Sequence, residues 1–266
     1  MAKRIVTALI GLIFFFAILF SNYIIFSGAI CICVFGMLFE LYRSVKLDKA
    51  LNTTGYIGAA VILASIIFGK VSKELAIVAF IGIYLAVMVA LHSKVTYKDV
   101  CAHGFLTFFI SMCFGTMIRL YNDFGSYAVL LVFICAWMTD TGAYFVGCTI
   151  GKHKLIPHVS PKKTIEGAIG GVVTAVLSCL VYMLVMQKLS ILEFDKTFGY
   201  GGIAVLGFFA SVFSQIGDLV ASCIKRDCDI KDFGTLLPGH GGILDRFDSV
   251  IYITPVIYYL LVIVSK

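Results

Sequence analysis

"KDFGTLLPGHGGILDRFDS", residues 231–249, gathers three aspartates, a histidine, a lysine and an arginine into one short hydrophilic gap. Apolar runs flank it near 200–224 and 249–265. Each is close to the ~20 residues a helix needs to cross a hydrocarbon layer. Hydrocarbon offers backbone N–H and C=O groups no partner, so only helices and closed barrels can cross it. The runs do not alternate polar with apolar residues, which excludes a barrel. The same reading, carried outward, predicts further spans near 5–20, 23–41, 53–69, 75–91, 100–118, 127–149 and 165–187. Composition agrees: 61% of the residues are hydrophobic, 14% are charged, and the mean hydropathy is +1.02. Soluble helices need a polar face toward water, and this chain has too few polar residues to supply them. The expected fold class is all-α, a polytopic integral membrane protein with about nine transmembrane helices.

The first run follows Met1-Ala2-Lys3-Arg4, as in a signal peptide, yet only Ser21-Asn22 separates it from the second run and no small-residue cleavage pattern is present. A retained helical hairpin is expected. Orientation follows from the basic residues of the short loops. Of the 21 Lys and Arg, only Lys70, Lys73, Arg119, Lys188, Lys196 and Lys266 fall on the side opposite the N-terminus. The N-terminus and the quoted loop are therefore expected in the cytoplasm. A net charge of +6 then marks topology and contact with anionic headgroups, and calls for no nucleic acid. The nine cysteines include no CxxC pair, and read as small apolar helix residues.

No linker or repeat interrupts the spans, so one membrane domain is expected over 1–266. Residues 1–126 form an apolar helical half, 127–249 the half that carries the chemistry, and 249–266 the last helix. Asp140, in "CAWMTDTGAYFVG" (135–147), lies well inside a span. An ionised Asp at that depth costs roughly 2.5–3.5 kcal/mol on insertion scales. Two readings stay open: a protonated Asp140 bonding a neighbouring helix through Thr139, Thr141 or Tyr144, or a wall residue of a functional cavity. In the next-to-last span Ser211, Gln215, Asp218, Ser222 and Lys225 fall at offsets 0, 4, 7, 11 and 14. That spacing puts them on one helical face. The stripe is either a hydrogen-bonded helix seam or the lining of a hydrated cavity that leads to the quoted loop.

Within the loop, Pro238-Gly239-His240-Gly241-Gly242 cannot continue a helix, and its glycines permit the tight turns in which successive N–H groups face an anion. Asp245 and Asp248, at i and i+3, share a face at the start of the last helix. With Asp218 they form an all-oxygen set suited to Mg2+, and the surplus of acids leaves room for a second cation. Lys225, Arg226, Lys231 and Arg246 supply charge for phosphate oxygens. Together these residues describe a site for a metal-bound polyphosphate at the membrane surface.

The stretch from Ser222 to Asp248, "SCIKRDCDIKDFGTLLPGHGGILDRFD", resembles the signature of the phosphatidate cytidylyltransferase (CDP-diacylglycerol synthase) family. The matching fixed positions are Ser222, Lys225, Arg226, Lys231, Asp232, His240, Gly241, Gly242, Asp245, Arg246 and Asp248. Upstream, "DTGAYFVGCTIGKHKLIPHVSPKKTIEG" (140–167) is similar to a second stretch of that family. The resemblance implies transfer of CMP from CTP to phosphatidate, with CDP-diacylglycerol and pyrophosphate as products, in phospholipid biosynthesis at the cell membrane. It also implies a homodimer. On this reading Asp218, Asp245 and Asp248 hold Mg2+, and Lys225 and Arg226 act beside them in catalysis. Ser222, Lys231, Asp232, His240, Gly241, Gly242 and Arg246 are expected to contact substrate, as are Asp140 and, from the other basic loop, Ser160, Lys162, Lys163 and Thr164. Asp232 would orient a basic neighbour or the nucleotide, with a surface ion pair as its alternative reading, and His240 reads as a phosphate contact or a turn former.

An ion-coupled transporter would also use intramembrane aspartates, but predicts interrupted helices paired between two related halves. Here the polar groups crowd one half. Enzymes that activate an ether lipid or a polyprenol with CTP are nearer rivals. Neither a DxxDGxxAR arrangement nor a GxxxxGK[ST] phosphate loop is present.

Overall fold

Four helices open on side-chain caps. Asn22 accepts from Ile25 N, Asp48 from Ala50 N, Ser72 from Leu75 N and Thr164 from Gly167 N. Each satisfies one N–H that a first helical turn leaves without a partner. In the computed structural model, which describes residues 2–46, 48–69, 72–189, 195–236 and 241–264, these caps open α2 (Tyr23–Val45), α3 (Lys49–Phe68), α4 (Lys73–Ala90) and α6 (Ile165–Lys188). The remaining helices are α1 (Ala2–Leu19), α5 (Tyr97–Ile150), α7 (Asp195–Asp227) and α8 (Leu244–Val264).

Seven helices among the described residues are long and apolar enough to cross a membrane, and the chain is a multi-pass, all-α membrane protein. α1 is 18 residues long. The spans expected near 100–118 and 127–149 fall on either side of a kink within α5, whose 54 residues would run about 80 Å if straight. Gly125 breaks that helix, with φ 80° and ψ 179°, a conformation for which a side chain is strained. The basic stretch after α5, expected as a loop, is an antiparallel hairpin of β1 (Lys154–Ile156) and β2 (Ser160–Thr164). It is too short to alter the fold class.

The chain divides into two compact units, Met1–Asp123 with Ile230–Arg246, and Phe124–Asp229 with Phe247–Lys266. In the first, Leu51, Ile62, Phe80, Tyr84, Val95 and Val100 form an apolar cluster. Beside it runs a buried polar network. Tyr84 Oη lies 2.8 Å from His103 Nδ1, Tyr42 Oη 2.7 Å from Thr107 Oγ1, and His103 Nε2 3.3 Å from Asn52 Oδ1. A polar group in this setting costs free energy unless it is bonded, and the network bonds each of them.

In the second unit α6 and α7 pack closely, and small residues set the approach. A Cβ on Gly217 of α7 would stand 2.7 Å from the carbonyl oxygen of Asp248, so α8 lies against bare backbone there. The outward faces carry exposed Ile169, Val173, Leu177 and Val181 on α6, and Val205, Phe208, Ile216 and Val220 on α7. Such faces suit acyl chains.

Candidate active site

The stripe on α7 turns inward within the second unit. Ser211 is fully buried, whereas Ile216, Val220 and Cys223 on the other side of the helix are exposed. Its deep end is a seam: Thr139 Oγ1 donates to Ser211 Oγ at 3.0 Å, and Gln215 Nε2 donates to the carbonyl of Ala168 at 3.1 Å. One turn on, the seam opens into a groove of about 330 Å3 whose lining includes Asp140, Tyr144, Lys162, Lys163, Thr164, Gln215 and Asp218. Of the stripe, Ser211 and Gln215 form the seam, and Gln215 and Asp218 line the groove.

Charge concentrates at this groove. Lys163, on β2, forms an ion pair with Asp218, each side chain being about 30% exposed (29% and 30%). Asp140 interacts electrostatically with Asp218 and Lys163. Asp248 does so with Asp218, Lys225 and Asp140. Three acids and two lysines, drawn from α5, β2, α7 and α8, thus share one field. Partial burial strengthens such interactions relative to water.

The hairpin that brings Lys162 and Lys163 here is fastened at both ends. At its base the Glu166 carboxylate accepts from Lys152 N at 3.1 Å, from His153 N at 3.2 Å and from His153 Nδ1 at 2.6 Å. Next to its turn Arg226 Nε donates to the carbonyl of Val159 at 3.3 Å. Ser160 pairs with Ile156 in the sheet. Thr164 caps α6, its hydroxyl accepting from Gly167 N at 3.1 Å. Sequence reasoning passed over Glu166. An acid in the first turn of a helix, next to a basic loop, was the available signal.

The first unit holds the quoted loop as far as Arg246. Asp245 is buried (9% exposed), and its Oδ2 accepts from Phe233 N at 2.8 Å and Gly242 N at 3.1 Å. Lys231, Asp232 and Arg246 are exposed, and Gly241 adopts φ 84°. His240, with Pro238 and Gly239, lies outside the described residues. Ser222 is half-buried on α7 in the second unit. Glu40 of α2 was not anticipated. It is 1% exposed and accepts from Ile243 N at 3.0 Å and Leu244 N at 2.9 Å. The argument applied to Asp140, an acid inside an apolar run, would have found Glu40 in "GMLFELY" (36–42).

The donor chemistry fits a hard divalent cation, since Asp140, Asp218 and Asp248 offer only carboxylate oxygens. The ammonium of Lys163 beside Asp218 already places positive charge in that field. Among the described residues no three acids, histidines or cysteines stand close enough to enclose an ion.

The sequence model of the cytidylyltransferase family matches residues 2–264. The chain belongs to the cytidylyltransferase family. It is 36% identical to the phosphatidate cytidylyltransferase of Bacillus subtilis (strain 168), over 100% of this chain and 99% of the relative. It is 32% identical to the proteins of that name from Staphylococcus saprophyticus and Staphylococcus aureus (strain COL), over 98% of this chain and 99% of each relative. Membership makes the chain a nucleotidyltransferase and sets the transporter reading aside. The family match also runs through the first 126 residues, where the sequence offered only hydrophobicity.

Proposed function

We propose that this membrane enzyme transfers the cytidylyl group of CTP to phosphatidate, giving CDP-diacylglycerol and pyrophosphate for phospholipid synthesis. The observation that carries the reading is the field of Asp140, Lys163, Asp218, Lys225 and Asp248 at the groove of the second unit. A phosphate oxygen of the lipid attacks the α-phosphorus of CTP, a P–O bond forms, and the bond to pyrophosphate breaks. Both reactants are anions, so the site must offset repulsion and hold attacker and leaving group in line. Lys163 and Lys225 supply fixed positive charge for phosphate oxygens, and Lys162 adds to it at the groove wall. Asp218 holds Lys163 in place until substrate arrives. The nucleophile is already ionised at neutral pH, so no general base is required.

Mg2+ is the proposed cofactor, with Asp218 and Asp248 as carboxylates that would hold it; Asp245 is proposed as a ligand from its sequence position alone. Such an ion, when bound by these carboxylates, would supply positive charge to offset that of the triphosphate and of the leaving pyrophosphate. A second cation is proposed on the number of acids. Arg226 acts on the reaction by fastening the hairpin. The distribution of basic residues supports a plasma-membrane protein with its N-terminus and active site on the cytoplasmic face, and a homodimer is proposed from the family resemblance.

The test is direct. Purified protein in detergent, given radiolabelled CTP, phosphatidate and Mg2+, is expected to yield a labelled lipid. Folded protein that forms none overturns the proposal.

A further inference from the structure

The first unit contains a carboxylate used in a way that the groove cluster is not. On α2, Gly36, Glu40 and Ser44 recur every four residues and so share one face. That face receives both strands of the quoted loop. A Cβ on Gly36 would stand 2.8 Å from Ile243 Cδ1. Ser44 Oγ donates to the carbonyl of Phe233 at 3.3 Å. Between them the Glu40 carboxylate divides its oxygens, Oε1 accepting from Ile243 N and Oε2 from Leu244 N. These N–H groups stand at the start of α8, where a helix has no intrahelical acceptors to offer and its dipole favours negative charge.

The loop has been shaped around this side chain. A Cβ on Gly234 would come within 2.3 Å of Glu40 Oε1, and one on Gly242 within 2.4 Å of Oε2. Glycine at both positions lets the two loop segments close over the carboxylate from either side. Asp245 completes the arrangement from within the loop by joining Phe233 N to Gly242 N. A buried carboxylate is costly unless hydrogen bonds replace its water, and here the backbone of the loop replaces it.

We infer that Glu40 is a positioning residue of the transferase: it caps α8 from a different helix and thereby holds the loop, Asp245 included, in its working conformation. This rests on the function proposed above. Glu40 touches no reacting atom, and acts through the backbone of Gly242–Asp245.

Because the two N–H groups go to different oxygens, Glu40→Gln must turn its own NH2 toward one of them. One charge-assisted bond is lost, and a donor then faces a donor. Turnover of CTP is expected to fall about tenfold or more. Peptide-resolved hydrogen exchange is expected to speed up at 241–246 by about tenfold, the change that about 1.4 kcal/mol produces, while α3 and α4 keep their protection. Gly234→Ala supplies a second route, since it displaces Glu40 without altering its charge. Its cost is expected to shrink in a Glu40→Ala background, where the side chain it strikes is gone. Wild-type turnover in Glu40→Gln overturns the inference. So does exchange that rises equally through α2, α3 and α4, or a Gly234→Ala effect that is additive with Glu40→Ala. If wild-type protein makes no labelled lipid, the function fails, while the exchange and stability measurements still decide the clamp.

Discussion

Acids in the two units of this molecule do different work. In the first, Glu40 and Asp245 are buried and spend their oxygens on backbone N–H groups of the loop and the start of α8. In the second, Asp140 and Asp218 line an open groove, and they and Asp248 interact with lysines. Both sets lie near apolar spans, and hydropathy alone treats them alike. The distinguishing feature is the partner: a backbone donor fixes conformation, whereas a mobile ammonium is a charge that a substrate or metal ion can replace.

Removing the charge of Asp218 attacks the second region at its centre. Asp218→Asn is expected to keep the helix and lose the ion pair to Lys163, with turnover falling about 10²–10³-fold, the scale of losing one preorganised electrostatic contact. Steady-state assay of the folded variant checks this, and near-normal turnover would move the chemistry away from the groove.

Asp245→Asn sharpens the contrast, because both of its backbone bonds go to one oxygen. An asparagine oxygen can accept both, so the loop is expected to hold and stability to fall by only about 1 kcal/mol, as charge-assisted bonds become neutral ones. Turnover is nevertheless expected to fall about 10–100-fold if the carboxylate also serves a cation. Thermal unfolding and labelled-CTP assays separate the two effects. Normal turnover with a slightly weakened loop would assign Asp245 to the loop alone.

Much of this was legible in the sequence, for definite reasons. Spans declare themselves because hydrocarbon demands long apolar helices, and α2, α3, α4 and α6 begin within a few residues of the expected positions. The inward stripe from Ser211 to Lys225 was legible because helical spacing is rigid. Its division into a seam and a groove was not, since that depends on Thr139 and Ala168 of other helices. The hairpin escaped because its strands, "KLI" and "SPKKT", show no alternation of apolar residues and are held by Glu166 and Arg226. Glu40 was legible as an acid in an apolar run, but its partners, 203 and 204 residues away, were not.

The groove offers its own reporter. Cys148 lines it and is exposed, and Cys101 of the first unit is exposed as well. Maleimide labelling of the wild-type enzyme, resolved by peptide mass spectrometry, can be timed with and without CTP and Mg2+. Occupation of the groove is expected to slow modification of Cys148 several-fold and leave Cys101 unchanged. Equal rates at Cys148 in both conditions, at saturating nucleotide, would contradict the placement of the reaction at the Asp218–Lys163 pair.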